Sequence, residues 1–259
     1  MVMVETDIVD DIATIRLNRP EVHNAFDDHM IADLTAALDA VAARPELRVV
    51  QLAAAGPSFS AGGDLDWMRR MAGYSDEQNR ADAERLARLL QKMATLPKPT
   101  IALVQGAAYG GGVGLIAACD IAIAVEGARF GLTEVKLGLV PAVISPYVIG
   151  AIGARWARRL FLTGERFDTA LALRIGLVHE LVAADRLLVR ATEVAAQLRE
   201  GAPMAQAEAK ALVTQIAGEG TDEYLIDHTS RLIARVRAAP EGREGVAAFL
   251  EKRKPAWRR

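Results

Sequence analysis

The sequence predicts an α/β domain followed by a helical segment. Three observations predict it. Short β-type apolar runs alternate with helical patterns over the first half of the chain, glycine-bearing loops follow two of those runs, and from Pro141 onward the pattern is mainly helical.

Taken in order, Val4 to Asn18 reads as two short strands turning at Asp10-Asp11, and Pro20 stops the second. His29 to Ala43 has apolar residues at helical spacing: Met30, Leu34, Ala37, Leu38 and Val41. Val49 to Ala53 is a strand closed by Gly56-Pro57, and Phe59 to Asp64 is a glycine-bearing loop. Ala81 to Leu96 is helical and ends before Pro97. Thr100 to Val104 is a strand entering the loop Gly106 to Gly114. A short apolar helix follows, Leu115 to Cys119, and then a strand, Ile121 to Val125. Beyond Pro141 one short strand is expected at Leu177 to Val182, and Pro203 to Lys254 offers three helical patterns. No Pro/Gly/Ser-rich hinge precedes that tail, so it is expected to pack against something.

Composition narrows the function classes. Of 259 residues, 51% are hydrophobic and 25% charged, which is ordinary for a globular protein. A net charge of -2 provides no basic field for nucleic acid. The single cysteine, Cys119, excludes an intrachain disulfide and a cysteine-rich metal site, and makes an intracellular, cytoplasmic home the simplest expectation. No apolar run is long enough to span a membrane, and the first residues are acidic where a signal peptide would be basic.

Two loops and one carboxylate are the candidates for chemistry. The loops are FSAGGDL, Phe59 to Leu65, and GAAYGGGVG, Gly106 to Gly114. Each follows an expected strand and opens an expected helix, which leaves backbone N–H groups without helical partners. Two such groups could hold a carbonyl oxygen as it becomes an oxyanion; tight turns and close helix–strand packing would call for the same glycines. Glu134 follows in RFGLTEVKLGLVP. Its neighbours Phe130, Leu132, Val135, Leu137, Leu139 and Val140 are expected to desolvate it and raise its pKa toward acid–base work. The alternative is an exposed acid paired with Lys136.

These segments carry a family resemblance. FSAGGDL, VQGAAYGGGVGLIAACDIAIA, ARFGLTEVKLGLVP, LFLTGERFDTALALRIGLVHELV, RLNRPEVHNAF and the terminal AAFLEKRKPAW, taken together, resemble the enoyl-CoA hydratase/isomerase (crotonase) family over nearly the whole chain. The resemblance implies a right-handed spiral of repeated ββα units over residues 1–200. It also implies a helical oligomerisation region at 201–259 that builds trimers, usually paired into hexamers. It places the thioester carbonyl between the N–H groups of Gly63 and Gly111, with Glu134 as the catalytic carboxylate. CoA, part of the substrate and not a separate cofactor, would run along His23, Asn24, Ala25 and Ala61. Gly62, Asp64, Leu65 and Gly110 would flank it, and Lys252, from this chain or a neighbour, would sit near its phosphates.

Two departures bear on the reaction. The position that carries the first of two glutamates in well-known hydratases of the family is Gly114 here, which leaves Glu134 alone. The stretch PAVISPYVIGAIG replaces a glycine-rich one, and its larger Val143, Ile144 and Tyr147 are expected to reshape the pocket. YGGGVGL with EVKLGLVPAVISPYV resembles the branch acting on branched glutaconyl-type CoA esters in leucine or terpenoid breakdown. Hydration of an enoyl-CoA is therefore expected, with single-glutamate isomerisation and non-catalytic acyl-CoA binding as alternatives.

Other classes fare worse on the residues. Gly112 to Ala117 satisfies G-x-G-x-x-A, but the helix is too short and the next strand-end acid, Glu126, comes too early for a dinucleotide site. His23, His29, His179 and His228 are scattered without H-E-x-x-H, and Ser58 and Ser60 lack a G-x-S-x-G elbow.

Overall fold

In the computed structural model, which describes residues 2–258, ten strands and ten α-helices are formed among the described residues. β1 (Val4–Val9) and β2 (Ile12–Leu17) are an antiparallel hairpin turned by Asp10 in a left-handed conformation. α1 (Asp28–Ala42) begins where Asp27 accepts a hydrogen bond from the Met30 N–H, and it buries Met30, Ile31, Leu34, Leu38 and Val41. Then come β3 (Val49–Ala54), β4 (Ser58–Ser60), α2 (Leu65–Met71) and α3 (Asp76–Thr95). β5 (Thr100–Val104), β6 (Ala107–Tyr109), α4 (Gly111–Ala118), β7 (Ile121–Val125) and β8 (Arg129–Gly131) complete the strand-rich half. α5 (Ser145–Thr163), β9 (Arg166–Asp168), α6 (Thr169–Arg174), β10 (Glu180–Val182) and α7 (Leu187–Arg199) follow, and α8 (Pro203–Ile216), α9 (Glu223–Ala238) and α10 (Pro240–Leu250) form the tail.

The strands form two sheets. One is six-stranded, in the order β1-β2-β3-β5-β7-β10; the other is four-stranded, in the order β4-β6-β8-β9. Successive pairs β3/β4, β5/β6 and β7/β8 each place one strand in either sheet, so the chain advances by one strand position per turn. Pairing is parallel except at the hairpin β1-β2 and at β8-β9. This is the expected spiral of ββα units. β3, β5 and β7 are buried along nearly their whole length, as strands covered on both faces must be.

Several sequence expectations need adjustment. The expected loop Gly106 to Gly114 contains β6, and α4 starts at Gly111, not Leu115. β4 covers the beginning of the expected loop Phe59 to Asp64, and α2 is the helix that this loop was expected to open. α3 starts five residues before Ala81 because Ser75 and Gln78 form a reciprocal cap. Only Glu180–Val182 of the expected strand Leu177 to Val182 is extended, and β8 and β9 went unread. Three-residue strands are too short to show a period.

The tail has a different character. α8 and α9 have no buried residue and α10 only Ala248. The pair Lys210–Asp120 (2.8 Å) ties α8 to the start of β7. No helix among the described residues is long and apolar enough to cross a membrane.

Candidate active site

Three adjacent strands of the smaller sheet deliver the site. β4 runs into Gly62 and Gly63, β6 into Gly110 and Gly111, and β8 into Glu134. Their parallel registers, Ser60 beside Ala108 and Tyr109 beside Gly131, hold the three exits side by side.

The first loop is clamped from the N-terminal segment. Phe26 forms an isolated parallel bridge with Gly63: its N–H donates to the Gly62 carbonyl (2.8 Å), and its carbonyl accepts from the Asp64 N–H (3.1 Å). That pattern skips the Gly63 N–H, which forms no backbone hydrogen bond among the described residues. Gly62 has φ +87°, and a Cβ there would lie 2.9 Å from the Tyr109 carbonyl oxygen, so only glycine fits.

The second loop turns at Gly110, φ +50°, whose N–H donates to the Gly131 carbonyl (2.9 Å). Gly111 is then the first residue of α4, where an N–H has no helical partner and the helix dipole is positive. Both expected donors are thus free and each lies at or beside a helix start.

Glu134 begins a single 3-10 turn (Glu134–Leu137) and sits against the second loop; a Cβ at Gly110 would come within 3.1 Å of its Oε1. Its Oε2 is buried without a hydrogen-bond partner. Burial pushes the carboxyl above the usual carboxylate range, and its own backbone N–H only partly offsets this. The source of that burial differs from expectation. Phe130 and Leu132 are buried, but Val135, Leu137, Leu139 and Val140 face outward, and no ion pair with Lys136 forms among the described residues.

Several expected substrate-binding residues have partners within the scaffold. Asn24 is fully buried with a left-handed backbone. Its amide donates to the carbonyls of Ala55 (2.7 Å) and Ser58 (2.8 Å) and accepts from the Arg19 N–H (2.9 Å), which leaves no donor for a ligand. The Ala25 carbonyl is taken by Arg19 (2.8 Å). Asp64 caps α2 through the N–H groups of Asp66 and Trp67 and accepts from Arg19 at 3.1 Å. Burial alone would raise its pKa, but the two backbone N–H groups and the guanidinium together hold it below the usual range. His23, Ala61 and Leu65 are exposed, and His23 shares a hydrogen bond with the Ser58 hydroxyl (3.0 Å). Lys252 lies in the tail after α10 with a left-handed backbone, and beyond it Trp257 and Arg258 dock on Glu200 and Arg48.

Three contributors escaped sequence reasoning, and a fourth, Ile144, was expected to reshape the pocket but not to close position 114. Arg19 binds partners 6, 8 and 45 residues away. The Ser60 hydroxyl donates to the Asn24 carbonyl (2.8 Å) and accepts from the Gly62 N–H (3.2 Å). Phe26 touches both loops. Ile144 sits where a side chain at position 114 would begin: a Cβ there would lie 2.3 Å from its Cγ2 and 2.8 Å from its Cβ. Gly114→Glu, which would restore the second carboxylate, is therefore expected to lose stability, not gain activity. A thermal melt at least several degrees below wild type is the expected reading, and an unchanged melt with raised turnover would contradict it.

Groups that could support other chemistries are spent elsewhere. His179 Nδ1 accepts from the Ala122 N–H (3.0 Å) at the edge of β7. Cys119 is buried and its thiol is pushed up to about 12 by that burial, beyond reach of a working nucleophile. α4 has eight residues, too short for a dinucleotide crossover helix.

Comparison with known proteins shows the family. A family model described as enoyl-CoA hydratase/isomerase matches residues 7–259. A Thermus thermophilus protein assigned provisionally as an enoyl-CoA hydratase is 36% identical over 250 residues, 95% of this chain and 97% of that protein. A trans-2-decenoyl-[acyl-carrier-protein] isomerase of Streptococcus mutans is 31% identical, covering 95% of this chain and 94% of its own. The crystal structure of an enoyl-CoA hydratase from Shewanella pealeana superposes with a TM-score of 0.96 at 45% identity, covering 98% of this chain and 96% of that one.

Proposed function

The chain belongs to the enoyl-CoA hydratase/isomerase family, and from that premise we propose that it hydrates a 2-enoyl-CoA thioester through an enolate held by Gly63 and Gly111. The observation that carries this reading is the convergence of two free N–H groups and one desolvated carboxylate at the exits of β4, β6 and β8.

The thioester oxygen accepts from both N–H groups. Glu134 takes a proton from water as the hydroxyl oxygen bonds to the β-carbon, and the double-bond pair moves onto the thioester as an enolate. The same carboxyl then returns the proton to the α-carbon, so the net change is addition of one water. The donors face charge that develops only during reaction, which is where hydrogen bonds accelerate most. The CoA moiety runs past His23, Ala61 and Leu65, which are exposed in or beside the first loop. Ile144, with Val143 and Tyr147 beside it, suits a branched acyl group of the glutaconyl type.

A second reading is favoured by one observation, the closed position at Gly114. A lone carboxylate can move a proton from one end of an allyl system to the other without water. Incubation with trans-2-enoyl and 3-enoyl thioesters in heavy-oxygen water separates the two. Hydration incorporates label into a 3-hydroxyacyl product; double-bond migration without label overturns it in favour of isomerisation.

The proposal extends to a closed trimer or a pair of trimers. Its support is the apolar surface of the tail, where Ile233, Val246, Phe249 and Leu250 are exposed; Val236 is half-buried in the groove between α8 and α10. Light scattering is expected to return a mass near a threefold or sixfold multiple of 27.8 kDa, and a monomer would refute it.

A further inference from the structure

We propose that Phe26 is a positioning residue that sets the spacing of the two oxyanion donors; this rests on the reading of Gly63 and Gly111 as those donors. Its backbone and its ring each hold one of them. The backbone is zipped to the first loop by two hydrogen bonds that flank Gly63, at 2.8 and 3.1 Å. The ring presses on the second loop: a Cβ on Gly111 would lie 2.2 Å from Phe26 Cζ and 2.7 Å from Cε2.

The ring cannot yield easily. Phe26 is 4% exposed and is packed among Leu17, Met30, Ile31 and Leu115, and the next residue, Asp27, caps α1. Close-packed interiors transmit displacement instead of absorbing it. The rigid distance from backbone to ring tip is therefore the gauge between the loops, and the glycine at position 111 follows from that contact.

This predicts that oversizing and undersizing the gauge both harm catalysis without harming binding. Phe26→Tyr places an oxygen on Cζ, the ring atom nearest to where a Cβ of residue 111 would stand, and forces the loops apart. Phe26→Leu keeps the backbone bridge and removes the ring tip. A donor misplaced by about 1 Å loses rate by on the order of 100-fold.

The test uses the full-length protein and cinnamoyl-CoA, a conjugated thioester whose absorption shifts to the red as its carbonyl is polarised. Both Phe26 variants are expected to bind it with little change, to lose most of the red shift, and to lower kcat about 10- to 100-fold with KM nearly constant. Gly111→Ala should lose the shift as well, and Gly111→Ala with Phe26→Leu should recover part of it, because the smaller side chain vacates the space of the new methyl. A Phe26 with only a packing role would lower the melting temperature and leave the shift intact. Wild-type shift and kcat in both single variants would overturn the proposal, as would the absence of recovery in the double variant. Gly63→Pro separates the two levels of the argument. If it abolishes the shift while the Phe26 variants keep it, the donors stand and the gauge falls; if it keeps the shift, the donor assignment itself is wrong.

Discussion

Glu134→Gln is expected to lower kcat about 100- to 10,000-fold, the usual worth of one positioned acid–base group, while thioester binding stays close to wild type. The amide preserves the shape of a side chain that lies against Gly110. It removes the capacity to take a proton, and no second carboxylate can stand in, because Ile144 closes position 114. The pH dependence has a definite sign. As base, Glu134 must be ionised, and burial holds its pKa above the ordinary carboxylate value. The rate should therefore rise with pH through an inflection above that value. Stability runs the other way. The native state holds this proton more tightly than the unfolded chain, so stability falls as pH rises from the ordinary pKa to the native one. Glu134→Gln is accordingly expected to melt higher than wild type at neutral pH, with the gain vanishing in acid. Activity within a few-fold of wild type would remove the residue from both hydration and isomerisation, and a lower neutral melt would contradict the burial argument.

Gly63→Pro is expected to lower kcat by about 100- to 1,000-fold, on the order of 3 kcal/mol in the transition state, because it deletes one oxyanion donor. Gly63 suits this test because its N–H carries no structural hydrogen bond among the described residues, and an added Cβ crowds the flexible end of Met68, 2.9 Å away, while meeting the Trp67 ring at an ordinary 3.8 Å. Gly63→Ala, which keeps the N–H and adds that same carbon, should stay within a few-fold of wild type. The contrast between the two isolates the donor from the space around it. Gly111→Pro would not isolate it, since any side-chain carbon there runs into the Phe26 ring. Circular dichroism checks that both Gly63 variants fold, and equal activities for Pro and Ala would sink the assignment.

Alternating strand and helix patterns, the helical tail, both glycine loops and Glu134 were legible in the residues themselves, while the ββα order came with the family resemblance. Glycines in FSAGGDL and YGGGVG announce backbone that must turn sharply or be approached closely, and Gly62 and Gly110 do so with positive φ values. A glutamate set among apolar neighbours such as Phe130 and Leu132 announces a desolvated carboxylate. Helical spacing marked α1, and the proline at 203 marked the start of α8, because local geometry alone produces those signals.

Only the tertiary structure decided what each polar or bulky side chain near those loops does. Asn24 and Asp64 look like ligand-binding residues by position, yet Asn24 is spent on carbonyls 31 and 34 residues away, and Asp64 on a helix cap and a guanidinium 45 residues away. The smaller sheet that aligns β4, β6 and β8 is made of three-residue strands with no period to read, so the convergence of the loops on Glu134 came from strand pairing. Ile144 against Gly114, and Phe26 between Gly63 and Gly111, are contacts across 30, 37 and 85 positions of chain. Hydrogen bonding and close packing act through space, and a sequence displays only what neighbours along the chain impose on one another.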